Sequence, residues 1–218
     1  MNAGEFVEAI PDFHKLSFRM KQLHEAIADD KAGRVKLISE VLKFVADREP
    51  LLNEIENLVN AGEIPIRVVH NDTKINNLLF RGNQAAAVID LDTTGPGILF
   101  YDYGDALRTG ANTAVEDEKD LTKVKFNIEA FKAFTEGYLG QVKPILSAKE
   151  NDLFYQAPIL MTFIIGSRFL TDYLNGDVYY KTAYDDHNLV RAKVQFKLIE
   201  SMESQQETMK KIIADALN

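Results

Sequence analysis

The sequence has no cysteine. A disulfide framework and a thiolate metal site are thereby excluded, and the absence fits the cytoplasm, which is the expected location. Long apolar runs are missing too. The most hydrophobic stretch, Ile159 to Ile165, is far too short to span a bilayer and reads, with its flanks, as a buried core helix. The opening residues MNAGEFVEAIPDF have neither a basic segment nor a long apolar one, so they do not read as a signal peptide. No dense basic run occurs. With 25 Lys and Arg against 33 Asp and Glu, the formal charge is −8, which disfavours contact with nucleic acid or anionic lipid. Neither nucleic acid nor membrane is expected as a partner. Internal repeats and low-complexity linkers are also absent.

What remains is a chain of 218 residues, 46% hydrophobic, enough to build a core without staples. Helices are expected over 14–30 and 34–61. In the second, Val35, Leu37, Ile38, Val41, Leu42 and Val45 recur at three- and four-residue spacing, and Gly62 is a stop signal. The texture then changes. Ile66 to Val69 is short and β-branched. Asn77 to Phe80 and Ala86 to Leu91 are apolar runs separated by Arg81-Gly82-Asn83-Gln84, a hairpin pattern. Gly95-Pro96-Gly97 marks a loop. Further helices are expected near 101–108, 124–140, 148–175 and 187–216, the last capped by oxygens from Asp186-His187-Asn188. The expected fold class is α+β, mainly helical, with a small β-hairpin insert in the middle.

The polar residues concentrate in that insert. Asp72 is followed five positions later by Asn77 and thirteen residues after that by Asp90, each beside apolar segments. Asp and Asn favour turns through local hydrogen bonds, but Asn77 and Asp90 adjoin apolar neighbours, where an unpaired polar group is costly. Phosphoryl transfer uses such a set. A carboxylate takes the acceptor's proton, and magnesium prefers a few hard oxygen ligands, one or two of them carboxylates. Asp72 suits the first role; Asn77 and Asp90 suit the second. Lys74 can reach the migrating phosphate as a point charge.

This spacing resembles the kinase catalytic loop H-R-D-x-x-x-x-N followed by the D-F-G aspartate. The resemblance is closer to the aminoglycoside phosphotransferase and choline kinase branch, and closest to the N-acetylhexosamine 1-kinases. The strings HNDTKINNLLF, VIDLDTTGPG, YDYGDALR and SRFLTDYLNGDVYY, in that order, carry it over about residues 10–202. The resemblance implies a protein-kinase-like C-terminal lobe whose β-hairpin insert carries the catalytic loop. It implies ATP as co-substrate with Mg2+, and the anomeric hydroxyl of an N-acetylhexosamine as acceptor. Asp72 would be the general base, with Lys74 beside it; Asn77 and Asp90 would hold magnesium. Arg168 and Tyr179 would contact the sugar, and His70 and Asp102 would support the loop. Read without the resemblance, Arg168 could simply pair with Asp172 four positions on, and Tyr179 could be a packing residue.

Nothing before Asp72 resembles the five or so strands that clamp the nucleotide in a complete kinase. Residues 1–218 are therefore expected to be the catalytic C-terminal lobe alone, with little turnover of their own. The face that the other lobe would cover invites self-association. Three other readings stand beside this one. The first is a kinase for choline, ethanolamine, homoserine or an aminoglycoside. The second is a metal-dependent phosphate-ester hydrolase using His70, Asp72, Asp90 and Asp92, although His14, His24 and His187 fall in no clear ligand constellation. The third is a non-catalytic helical module.

Overall fold

The computed structural model describes residues 3–218. Eight α-helices and four short strands follow one another as α1 (Leu16–Asp29), α2 (Ser39–Asn60), β1 (Arg67–Val69), β2 (Leu78–Arg81), β3 (Gln84–Val88), β4 (Gly95–Gly97), α3 (Leu99–Gly110), α4 (Ile128–Val142), α5 (Ala148–Leu153), α6 (Ala157–Leu174), α7 (His187–Glu203) and α8 (Gln206–Leu217). The fold is mixed α+β and mostly helical. Among the described residues the strands make two antiparallel pairs, β1 with β4 and β2 with β3.

The core gathers around α6, which packs against α7, α3 and α1. Its apolar residues run all round the helix, and nearly all are buried. Such a helix belongs in the middle of a domain, not on its surface. With α5 and the 3-10 turn Phe154–Gln156 it forms a helical run, Ala148–Leu174, long and apolar enough to cross a membrane by length and composition, but 83% of its apolar 18-residue stretch is buried inside the protein. Close packing here depends on small residues. A Cβ added to Gly104 of α3 would stand 2.3 Å from the Ala157 carbonyl oxygen, so α3 and α6 pass nearly backbone to backbone.

Several boundaries differ from the sequence reading. The expected helix over 34–61 starts as a 3-10 turn, Val35–Leu37, and becomes α-helical only at Ser39. The helix expected at 124 begins at Ile128, where the Asn127 side chain accepts the N–H groups of Glu129 and Ala130. The helix over 148–175 is interrupted ahead of Pro158, whose ring removes a donor and crowds the preceding turn. The helix over 187–216 is two helices. Gln205 leaves the α-region, and its amide donates to the carbonyls of Phe126 and Ser201. Asp186 precedes α7 with a left-handed backbone and caps nothing with its side chain. Gly95-Pro96-Gly97, read as a loop, is a strand: Val68 lies opposite Pro96, and Arg67 opposite Gly97. A two-stranded ladder has only edges, where a proline's missing N–H is tolerated. The hairpin strands themselves are Leu78–Arg81 and Gln84–Val88, joined through Gly82 at φ 61°. Ile89 and Asp90 lie beyond them.

Candidate active site

The loop from His70 to Asn77 leaves β1 and ends in a 3-10 turn, Ile75–Asn77, just ahead of β2. Asp102, in the first turn of α3, fastens its start: one carboxylate oxygen accepts the N–H of His70 and the other that of Asn71, both at 2.8 Å. Burial pushes the Asp102 carboxyl above its ordinary value, and these two backbone bonds oppose the shift. The Thr73 hydroxyl donates to the Asp102 carbonyl at 2.5 Å, so one turn of α3 holds the loop at three places. His70 acts within the loop. Its Nδ1 accepts the Asp72 N–H, so Nε2 carries the proton and donates to the Ile89 carbonyl at 3.0 Å. The ring thus ties the loop to the segment that carries Asp90.

Two residues that sequence reasoning missed complete the support. Asn71 turns the chain with φ 65° and donates from its amide to the Thr93 carbonyl at 3.0 Å. Asn is one of the few residues that enter the left-handed region readily. His14, buried ahead of α1, donates from Nε2 to the Asn71 carbonyl at 2.7 Å. Burial lowers its pKa from 6.5 to about 4, with the Asn71 bond opposing. The imidazole is neutral and serves as a donor. A Cβ on Gly97 would meet Val69 at 2.4 Å and the Asn71 side-chain oxygen at 2.9 Å, so glycine there lets β4 pass close to the loop.

Asp72, Lys74, Asn77 and Asp90 meet at the loop's mouth. The Asn77 amide nitrogen donates to the Asp72 carbonyl at 2.8 Å, to the Asp72 carboxylate at 3.0 Å and to the Asp90 carboxylate at 3.3 Å. The Lys74 ammonium lies 2.6 Å from Asp72 and 3.8 Å from Asp90. Asn77 is buried, while Asp72, Lys74 and Asp90 remain open to solvent and hence to a ligand. Asp90 takes a left-handed backbone, φ 64°, which turns the chain out of β3 at this point.

Whether this set suits magnesium follows from its donors. Asp90 and the Asn77 amide oxygen are hard oxygen ligands on side chains already in contact, and Mg2+ bound with a nucleotide uses only one or two carboxylates from the protein. The residues fit such an ion. Among the described residues no group of three or more His, Asp and Glu side chains gathers as a metal site.

Arg168 and Tyr179 stand together elsewhere. They line a cavity of about 510 Å3 with Arg19, Phe18, Ile10 and Tyr180. Arg168 does not pair with Asp172. Its guanidinium lies over the rings of Phe13, at 5.0 Å, and Tyr180, at 5.8 Å. Arg19, another residue unremarked in the sequence, faces the same cavity; burial first and the neighbouring Arg168 second lower its pKa to about 10. Asp72 does not line this cavity. A second cavity of about 230 Å3, lined by Asn71, Thr93, His14 and Tyr101, lies beside the loop and shares Ile10 with the first. Asp72 does not line this cavity either.

Compared with known protein families, residues 4–134 match the phosphotransferase enzyme family (APH). The matched part includes the whole His70–Asp102 constellation. Arg168 and Tyr179 lie beyond it.

Proposed function

This chain belongs to the phosphotransferase enzyme family, and on that premise we propose that Asp72, Lys74, Asn77 and Asp90 form the phosphoryl-transfer site of a small-molecule kinase whose acceptor is an N-acetylhexosamine. The observation that carries the reading is the Asn77 amide, which joins the Asp72 and Asp90 carboxylates with Lys74 close to both. Two carboxylates, an amide and an ammonium thus share one spot that is open to solvent, which is the set that a base, a metal ligand pair and a phosphate-contacting cation would need.

The roles follow from the chemistry. Asp72 orients the acceptor hydroxyl and takes its proton as the oxygen–phosphorus bond forms and the bond from the γ-phosphorus to ADP breaks. The Lys74 ammonium moves from Asp72 towards the transferring phosphoryl group, whose oxygens carry the charge. Asp90 and Asn77 would hold magnesium, which supplies charge neutralisation on the phosphates. His70, Asn71, Asp102 and His14 keep the loop in one geometry, so little reorganisation remains for the reaction itself.

The acceptor is argued from the lining of the cavity that holds Tyr179. Arg168 and Arg19 bring guanidinium donors, Tyr179 and Tyr180 bring aromatic faces, and the carboxylates of Glu25, Asp29 and Asp172 balance the cations of Arg19, Lys31 and Arg168. A neutral, hydroxyl-rich sugar finds donors and ring faces there, with no excess charge to select a cationic acceptor. On this reading Arg168 and Tyr179 hold the sugar and its anomeric hydroxyl is presented to Asp72.

The described strands are too few to be the nucleotide-clamping sheet of a complete kinase, so residues 3–218 are read as the C-terminal lobe. Turnover by these residues alone is expected to be slow. Phosphorus NMR of N-acetylglucosamine and N-acetylgalactosamine with MgATP tests the reading, using this chain and a form extended by an upstream nucleotide-binding lobe. A new anomeric phosphate from the extended form supports it. Phosphorylation of choline or homoserine instead would overturn the acceptor and keep the kinase. ATP-independent cleavage of phosphate esters would overturn both.

A further inference from the structure

The acceptor reading leaves one buried acid unexplained. Asp172 sits near the C-terminal end of α6 and is only 4% exposed, yet it makes no ion pair among the described residues. Its carboxylate is fully used in another way. Oδ1 accepts the N–H groups of Val178 at 2.9 Å and Tyr179 at 2.8 Å. Oδ2 accepts the N–H of Tyr180 at 2.9 Å and the side-chain amide of Asn188 at 2.8 Å. Three consecutive backbone donors of one loop therefore converge on a single side chain.

The loop cannot hold this shape on local structure. It turns through Gly176 at φ 92° and Asp177 at φ 61°, and it carries Val178 and Tyr179, which are 78% and 70% exposed. So exposed a segment has little packing to order it. What orders it lies at its base. The Asp177 N–H returns to the Asp172 carbonyl at 2.8 Å, and the Asp177 carboxylate receives Arg34 at 2.5 Å and Asn188 at 2.9 Å. From this base the chain delivers the rings of Tyr179 and Tyr180, edge to face at 4.8 Å, with Tyr180 near Arg168.

We propose that Asp172 is the positioning residue of the acceptor site: by holding the N–H groups of Val178, Tyr179 and Tyr180 it sets the two tyrosine rings against each other and the Tyr180 ring beside Arg168. The inference rests on the acceptor reading for what the rings bind, but not for how they are held. A carboxylate suits the task because it offers two acceptor oxygens and no donor. An amide in its place keeps one oxygen and turns an NH2 group towards one of the two donor pairs, Val178 with Tyr179 or Tyr180 with Asn188. Asp172→Asn therefore keeps the side-chain shape and reverses the bonding at one oxygen.

Two readings separate the parts. Amide hydrogen exchange followed by NMR addresses positioning. In Asp172→Asn at least one of the Val178, Tyr179 and Tyr180 amides should exchange at least about tenfold faster, the size expected for losing one hydrogen bond to a charged group, while amides of α3 and of the 70–77 loop stay unchanged. Equal exchange at Val178, Tyr179 and Tyr180 in the two proteins would overturn the proposal. If the variant does not fold, the unsubstituted chain decides: protection of these three amides supports the proposal, and exchange at the rate of a free loop overturns it. Sugar binding addresses the acceptor. Isothermal titration calorimetry follows the sugar without altering the platform. Asp172→Asn should weaken N-acetylglucosamine binding about tenfold and leave MgATP binding unchanged. Equal loss of both would mean general disruption and overturn the positioning role. If the unsubstituted chain binds no N-acetylglucosamine, the acceptor reading fails, and amide exchange alone still decides what Asp172 does.

Discussion

At the scale of single residues, each side chain at the loop's mouth has a partner that fixes its use. Asp72 touches Lys74 and Asn77 through one oxygen and is the group proposed to take a proton. Asp72→Asn keeps the shape and loses the base. With the nucleotide-clamping lobe present, it should lower turnover about 10²–10⁴-fold and leave ATP affinity nearly unchanged; a near-normal rate would refute the assignment. His14 makes a prediction about pH. Its folded-state pKa of about 4 lies below the ordinary 6.5, so the unfolded chain binds the extra proton between these values. The contribution to stability is complete above about pH 6.5 and is lost as pH falls towards 4, by up to ~3 kcal/mol. Asp102 works in the opposite sense: its raised pKa means that the folded state gains relative stability as pH falls through it. Urea unfolding of His14→Asn, which does not titrate, should therefore have a flatter pH dependence between 6.5 and 4 than the unsubstituted chain. Identical profiles would contradict the buried neutral imidazole.

At the scale of elements, the loop and its hairpin were legible because polar residues at fixed offsets interrupt short apolar runs. Asp72, Asn77 and Asp90 stand out in a sequence without needing any tertiary contact to reveal them. His14 does not. It lies 57 residues before the Asn71 carbonyl that it donates to, and a long-range hydrogen bond leaves no periodic trace. Asn71 left only the weak signal that Asn tolerates a left-handed backbone. The break between α7 and α8 was illegible for a similar reason. No Gly or Pro marks it, and the Gln205 bonds to Phe126 and Ser201 that accompany it are visible only in the fold. The pairing of Gly95-Pro96-Gly97 with β1 runs against local preference, since both residue types usually mark turns; close passage past Asn71 selects glycine there instead. Gly104 carries the sharpest prediction at this scale. A methyl group there meets the Ala157 carbonyl, which is backbone and cannot swing aside. Gly104→Ala should cost about 1–3 kcal/mol through forced separation of α3 and α6, measurable as a lower urea midpoint. An unchanged midpoint would mean that the two helices are not so closely apposed. Because α3 also carries Asp102, the same variant should loosen the catalytic loop.

At the scale of the whole molecule, the helical body is well buried around α6 while the hairpin is left bare. Leu79, Phe80, Val88, Ile89 and Leu91 are all exposed, and an isolated hairpin of two strands is marginal in water. A second lobe seated here would explain why apolar residues face outward. Without it the same surface favours contact between copies. Light scattering should detect concentration-dependent association that Phe80→Ser reduces; a monomer at all concentrations would remove this expectation. The family match and the loop geometry fall in the same part of the chain, and Arg168 and Tyr179, the proposed acceptor residues, lie outside it. The phosphotransferase assignment therefore stands apart from the identity of the acceptor.

The most direct test of the central claim, a metal–nucleotide site at Asn77 and Asp90 beside Asp72, needs no turnover. Mn2+ can replace Mg2+ as an oxygen-bound ion, and its unpaired electrons broaden nearby NMR signals. Titrating Mn2+ with ATP into the isotopically labelled chain should first broaden the amides around Asp72, Asn77 and Asp90, and Asp90→Ala should abolish that selectivity. Broadening centred anywhere else, or unchanged by Asp90→Ala, would contradict the account.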